Sequence, residues 1–260
     1  MRLCVMSDLH LEYERQGRGS LPLGPDLDGL QGIDVVILAG DVDEGLAGLD
    51  YAGGLARRWG CPVLYVPGNH EYYGHDFPSL QAVLRSAGKG GVVVLDRRSF
   101  VFQGWRFVGC TLWTDYELDG QADKSMRLAE QRLGDHRRIG WDGGGNFSPR
   151  HACEEFRASQ AWLVAELTKH APGRAIVITH HAPLPEAIAP HFRNGDLNAA
   201  FASDLRSLIR ELRPALWIYG HTHHDIDVRI GETRVVARQR GYWGQDNVTD
   251  FRPLLIDLPE

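Results

Sequence analysis

The sequence predicts an α/β layer architecture, and three observations predict it. Short, nearly continuous apolar runs rich in β-branched residues recur at 3–7, 33–39, 62–66, 175–179 and 215–219. Longer stretches with helical character separate them, and Gly, Pro or Asp punctuates the junctions. Runs without a polar face suit central strands covered on both sides.

Taken in order, the run 3–7 opens the chain as a strand, and 33–39 gives a second. A helix over 45–59 is closed by Gly60, a third strand spans 62–66, and a helix over 77–87 is closed by Gly88. Residues 92–109 read as one or two hairpins with Gly104 at a turn. Between 110 and 150 the pattern weakens, and 141–149 is rich in glycine, so this part is expected to be an irregular excursion or lid within a single domain spanning 1–260. Helices over 152–170 and 199–212 show apolar residues at three-and-four spacing and flank the strand at 175–179; Pro214 ends the second. The strand at 215–219, a hairpin over 226–237 turning at Gly231 and Glu232, and a closing strand over 253–258 complete the chain.

A chain of 260 residues with 43% hydrophobic residues can bury a full core. Its formal charge of −6 disfavours long nucleic acid as a partner, while leaving room for a local pocket that takes one phosphate. The four cysteines, Cys4, Cys61, Cys110 and Cys153, are scattered, which fits a reducing compartment. No leader-like segment opens the chain, and no run approaches the ~20 apolar residues that span a bilayer. The chain is therefore expected to be soluble and cytoplasmic, with its oligomeric state open.

The chemistry lies at the strand ends. Each central run stops just before residues able to bind metal: Asp8 and His10; Gly40 and Asp41; Gly68, Asn69, His70 and Glu71; His180 and His181; Gly220, His221 and His223. In open α/β sheets, ligands bind beyond the carboxyl ends of strands, so these side chains should converge on one crevice. Residues two apart on an extended segment project to one side, which pairs Asp8 with His10 and His221 with His223. The glycines at 40, 68 and 220 are expected to let the backbone turn sharply there. Imidazole, carboxylate and amide donors without cysteine favour Mn, Fe, Co, Ni or Zn over soft metals. Seven donors exceed the needs of one such ion, so two divalent ions with a bridging carboxylate are implied. An isolated Asp or Asn at a strand end is more often a turn residue or cap, and that reading loses here to the accompanying histidines.

The ordered series DxH, GDxxD, GNHE, a lone strand-end His and GHxH marks the calcineurin-like metallophosphoesterases, and this chain resembles them. It departs at the second motif, where only Gly40–Asp41 matches and the second Asp has no placed counterpart. The resemblance covers nearly the whole chain and implies a four-layer αββα sandwich with two mixed β-sheets. It implies that Asp8, His10 and His223 hold one metal, that Asn69, His180 and His221 hold the other, and that Asp41 bridges them. Mn or Fe is the preferred metal. His70 matches the non-ligand histidine that contacts substrate. The implied activity is hydrolysis of a small phosphate monoester or diester, with a hydroxide bridging the metals as nucleophile and His70 serving the leaving oxygen.

In the second motif Asp43 and Glu44 precede Gly45, and Asp43 receives no ligand role. His181 is expected behind the ligands or facing substrate, and His224 begins a turn. Arg137, Arg138 and Arg240 are candidates for holding a phosphate or carboxylate, against an equal case for solvated charges. Trp113, Asp115, Tyr116, Gly241, Tyr242 and Trp243 are candidate pocket edges, whereas His75, His136, His151, His170 and His191 read as solvated or structural. Two readings from other classes are a silent protein-binding scaffold of the same fold and a DNA nuclease using the same centre. No ligand is missing for the first, and no DNA-gripping segment is visible for the second.

Overall fold

The computed structural model describes residues 1–17, 25–169, 172–242 and 250–259; Trp243 and His170 lie outside them. Strand β1 (Arg2–Met6) leads into α1 (Leu11–Arg15), β2 (Val35–Ala39), α2 (Ala47–Trp59), β3 (Val63–Val66) and α3 (Phe77–Ser86). Next come β4 (Val92–Val94), β5 (Arg98–Phe102), β6 (Trp105–Cys110), α4 (Ala122–Arg132), α5 (Asp135–Arg138) and α6 (Pro149–Leu167). The remainder is β7 (Ala175–Thr179), α7 (Arg206–Leu212), β8 (Leu216–Tyr219), β9 (Asp227–Ile230), β10 (Thr233–Ala237) and β11 (Leu254–Asp257).

Two mixed sheets result. In the first, with order β11-β1-β2-β3-β4, only β11 runs antiparallel to its neighbour. In the second, with order β5-β6-β7-β8-β10-β9, the edge strands β5 and β9 are antiparallel to theirs. Alternation along each strand divides the core. Leu3, Val5, Ile37, Leu64 and Val66 of the first sheet meet Trp105, Phe107, Ile176, Ile178 and Ile218 of the second. The outer face of the first sheet turns Cys4, Met6, Val36, Leu38 and Tyr65 toward Leu55 and Ala56 of α2. That of the second turns Val108, Val177, Trp217 and Tyr219 toward Phe156 and Leu163 of α6 and Ile209 of α7. Each such aliphatic or aromatic side chain contributes about 1.5–3 kcal/mol when fully buried, which explains why the strand sequences lack a polar face. The architecture is the four-layer αββα sandwich.

The structure changes or narrows three local expectations. Helix α7 starts at Arg206; residues 198–200 form a 3-10 turn instead, held by the Asn198 amide donating to Phe192 O at 2.7 Å. Within 92–109 only β5 and β6 form a hairpin, while β4 joins the first sheet parallel to β3. The segment 110–150 contains α4 and α5, and it buries Trp113, Tyr116, Ile139 and Phe147 in the outer core of the second sheet. Among the described residues, no helix is long and apolar enough to cross a membrane.

Candidate metal centre

Strands β1, β2 and β3 are parallel neighbours, as are β7 and β8, so their carboxyl ends point the same way within each sheet. The loops leaving those ends interlock. Asp8 N donates to Gly40 O, His10 N to Asp41 O and Gly220 N to His180 O, each at 3.0 Å. The turns are tight: Asp8, His10, Asp41, His221 and His223 all adopt left-handed backbone, with φ of 53°, 48°, 52°, 76° and 48°. For residues other than glycine such conformations cost on the order of 1–3 kcal/mol each and persist only where surrounding contacts enforce them.

Glu71 supplies much of that enforcement. Its fully buried carboxyl group accepts from Gly68 N at 2.7 Å, Val42 N at 2.9 Å, Asp41 N at 3.1 Å and the Tyr65 hydroxyl at 2.6 Å. Burial and the neighbouring Asp41 charge push its pKa up to about 7. The glycines act in two ways. Gly40 has φ +90°, as a sharp turn requires. At Gly68 and Gly220 the backbone is ordinary and space decides: a Cβ would overlap the Asp41 carboxylate at the first and crowd the Asp8 carboxylate at the second.

All seven residues expected to bind metal come together, in two groups. Asp8, His10 and His223 form the first: His223 Nε2 lies 3.0 Å from His10 Nε2 and 3.5 Å from Asp8 Oδ1. Asp41, His180 and His221 form the second, joined by Asn69, whose Oδ1 is 3.0 Å from His180 Nε2. Asp41 lies between the groups, with Oδ1 3.3 Å from His180 Nε2 and Oδ2 3.8 Å from His10 Nε2.

The tautomers are set from behind. His180 Nδ1 donates to Ala39 O at 2.9 Å, and His10 Nδ1 donates to Glu12 Oε1 at 3.0 Å, so both Nε2 atoms face the centre. Burial lowers the pKa of His10 and His221, favouring neutral, ligating imidazoles. Burial alone would raise Asp41, but the charges of His180 and His70 hold it well below the usual carboxylate range. Burial likewise opposes protonation of His180, yet Asp41 prevails and its pKa rises to about 10. Asn69 Oδ1 and Asp41 Oδ1 both face His180 Nε2, at 3.0 and 3.3 Å. This donor set, with all four cysteines buried elsewhere and free, fits borderline divalent cations.

Two residues that carry no motif complete the arrangement. Glu12, 2% exposed, accepts through the same Oε1 from His10 and from His70 Nδ1, the latter at 2.9 Å. Burial opposes its charge, but the two histidines outweigh this and bring its pKa to about 2. Asp135, in α5, accepts from the Asn69 amide at 2.9 Å and the Tyr73 hydroxyl at 2.6 Å, which turns Asn69 Oδ1 toward His180. A spacing of two after His10 was the sole sequence sign for Glu12; Asp135 had none.

Other candidates fall elsewhere. Arg240 is buried, donates to Leu9 O at 2.9 Å and pairs with Glu14. Arg137 bonds the carbonyls of Gln131 and Arg132, and Arg138 pairs with Glu44 over the Tyr73 ring. Asp43 pairs with Arg15. His181 packs between Trp113 and His221, behind the ligand ring. Trp113, Asp115 and Tyr116 do not line the pocket, but Tyr242 does, and its hydroxyl lies 2.9 Å from His70 Nε2. His191 and His224 also line it. The pocket is a cavity of about 990 Å³ with Asp41, Asn69, His221 and His223 at its base.

The sandwich, with donor clusters at its strand tips, is the fold of the metallo-dependent phosphatases. The family model for calcineurin-like phosphoesterases matches residues 1–225, and the chain belongs to that family. It is 24% identical over 217 residues to uncharacterized protein L509 of Acanthamoeba polyphaga mimivirus, covering 75% of each chain. Its fold is similar to that of the phosphopantetheinyl hydrolase PptH from Mycobacterium tuberculosis, with TM-score 0.66 and 21% identity over 97% of this chain and 95% of that one.

Proposed function

We propose that this chain is a hydrolase of small phosphate monoesters or diesters that depends on two divalent metal ions. The observation that carries the reading is the convergence of seven donor side chains from five strand tips, with their ligating atoms turned toward one another. Asp8, His10 and His223 would hold one ion, Asn69, His180 and His221 the other, with Asp41 shared; Mn or Fe suits the donors. When bound, such ions neutralise phosphate charge and bring the pKa of a coordinated water toward ~7.

The remaining roles belong to the protein. His70 Nδ1 donates to Glu12, so the ring is fixed with Nε2 turned to the hydroxyl of Tyr242, 2.9 Å away, and Tyr242 lines the cavity. Burial opposes a proton on His70, but Asp41 and Glu12 raise its pKa to about 9 in the metal-free protein. With the Tyr242 hydroxyl exchanged for a leaving oxygen, His70 Nε2–H would stabilise the charge developing there, a contribution of about 10²–10⁴-fold. Asp41→Asn removes the shared carboxylate and lowers both metal content and turnover; His70→Ala spares metal content and lowers turnover.

The test is a phosphate-ester screen with Mn²⁺-loaded protein, metal content being read by elemental analysis. The panel contains p-nitrophenyl phosphate, its bis ester, nucleotides and a phosphopantetheinyl ester, the group named for the mycobacterial hydrolase. Fully metallated protein inert toward the whole panel would overturn the reading in favour of a binding scaffold.

A further inference from the structure

The cavity extends well beyond the space a phosphate group needs, and its walls are unequal. At about 990 Å³ it matches the upper range of pockets that enclose whole organic molecules. The loop between β7 and α7 forms one wall with Ile188, Ala189, Phe192, Leu197 and Phe201. This wall begins at the metal centre, because the Phe201 ring stacks on His221 with centroids 4.8 Å apart and planes 25° apart. It also includes Phe192, which at 59% is the most exposed large apolar residue among those described. A set of apolar lining residues that includes a ring stacked on a candidate ligand and a largely exposed ring suits a substrate's organic part.

Charge narrows the class. Arg132 is the only Lys or Arg among the described lining residues, and its guanidinium lies 3.8 Å from Asp196. Asp135, Asp196 and Asp225 also line the cavity. Away from the base, the described lining therefore offers a second phosphate or a carboxylate the imidazoles of His191 and His224 and an Arg132 already paired with Asp196, with Asp135 and Asp225 nearby. A polyphosphate or an acidic peptide is the wrong shape of charge for this wall.

We infer that the leaving alcohol of the substrate carries an uncharged, apolar body of about nucleoside size that lies along Phe201, Ile188 and Phe192, and no second anionic group. The inference rests on the hydrolase reading and adds the chemistry of the leaving group to it. Covering one face of a Phe192-sized ring gives about a tenfold effect.

The experiment compares ethyl phosphate with 2-(1-naphthyl)ethyl phosphate, whose alkoxides leave with similar ease, together with their methyl diesters, using Mn²⁺-loaded protein. We expect kcat/KM at least tenfold higher for the naphthylethyl compounds, expressed in KM. Phe192→Ala and Ile188→Ala, checked for native melting, should narrow the ratio toward one. Calorimetric binding of the two monoesters provides a readout independent of turnover. If nothing is hydrolysed but the naphthylethyl ester binds at least tenfold tighter and loses this in Phe192→Ala, the hydrolase reading fails and the wall assignment stands. Equal affinity and equal kcat/KM for the two esters, or a preference for ethyl phosphate, overturns the inference while leaving the hydrolase reading intact.

Discussion

Replacing Glu12 tests whether the centre depends on a residue outside every motif. One oxygen of Glu12 receives the Nδ1 protons of His10 and His70 at 3.0 and 2.9 Å, in a site 2% exposed. Bonds of this kind to a charged acceptor contribute about 1.5–3 kcal/mol each. Loss of such a supporting partner typically costs about 10–100-fold in metal affinity or activity. Glu12→Ala removes both bonds, so we expect Mn²⁺ affinity to fall about 10–100-fold as His10 loses its orientation, and kcat to fall further at saturating Mn²⁺ as His70 loses its own. Glu12→Gln discriminates geometry from charge. Its carbonyl can accept both protons, and its amide nitrogen would take the place of Oε2, which has no hydrogen-bond partner. It should therefore keep most of the affinity while lowering kcat, since the charge that helps keep His70 protonated is gone. Titration calorimetry with Mn²⁺ and steady-state kinetics on p-nitrophenyl phosphate separate the two effects. Affinity and kcat of Glu12→Ala both within twofold of wild type would refute the reasoning.

Two further outcomes follow from the same geometry. Asp135→Ala leaves the Asn69 amide its longer bond to the Tyr73 hydroxyl, at 3.2 Å, and we expect about a 10–100-fold loss of Mn²⁺ affinity, with fold retained by circular dichroism; unchanged affinity would show that this bond suffices to fix Asn69. In the metal-free protein His70 and His180 are raised from 6.5 to about 9 and about 10, so the folded state binds their protons more tightly than the unfolded state does. That stability is fully present below pH 6.5 and is lost as pH rises through 9 to 10. Urea melts of metal-free protein at pH 6, 8 and 10 should show the decline, and stability that stayed flat over this range would contradict the assignment.

The strand tips were legible because buried parallel strands leave a plain trace: uninterrupted apolar runs that stop at the first polar residue. Strand β7 coincides with its expected run at 175–179, and β2, β3 and β8 start one or two residues later, where the backbone enters the ladder. Less legible was α4, whose buried residues are only Ser125 and Ala129, too small to imprint an apolar stripe. The early start expected for α7 arose from Ala199, Ala200 and Ala202, which are buried as part of the pocket-forming loop and not on a helix face. Asp135 looks like any acid at the start of a helix, and Arg240 like a free cation, until long-range partners are in place. Gly68 and Gly220 were read as hinges, whereas crowding by distant carboxylates is what excludes a side chain there.

Ownership of the donors is divided between the two sheets. Asp8, His10, Asp41 and Asn69 extend from one, and His180, His221 and His223 from the other. A pair of ions held by both sets would rivet two slabs whose facing sides meet in greasy contact among Val66, Phe107 and Ile178 and whose tips are stitched by hydrogen bonds such as His180 Nδ1 to Ala39 O and His221 N to Asp8. Metal occupancy then becomes a gauge of how those slabs are aligned, and a sideways slip of one against the other would dismantle the centre without touching a single donor.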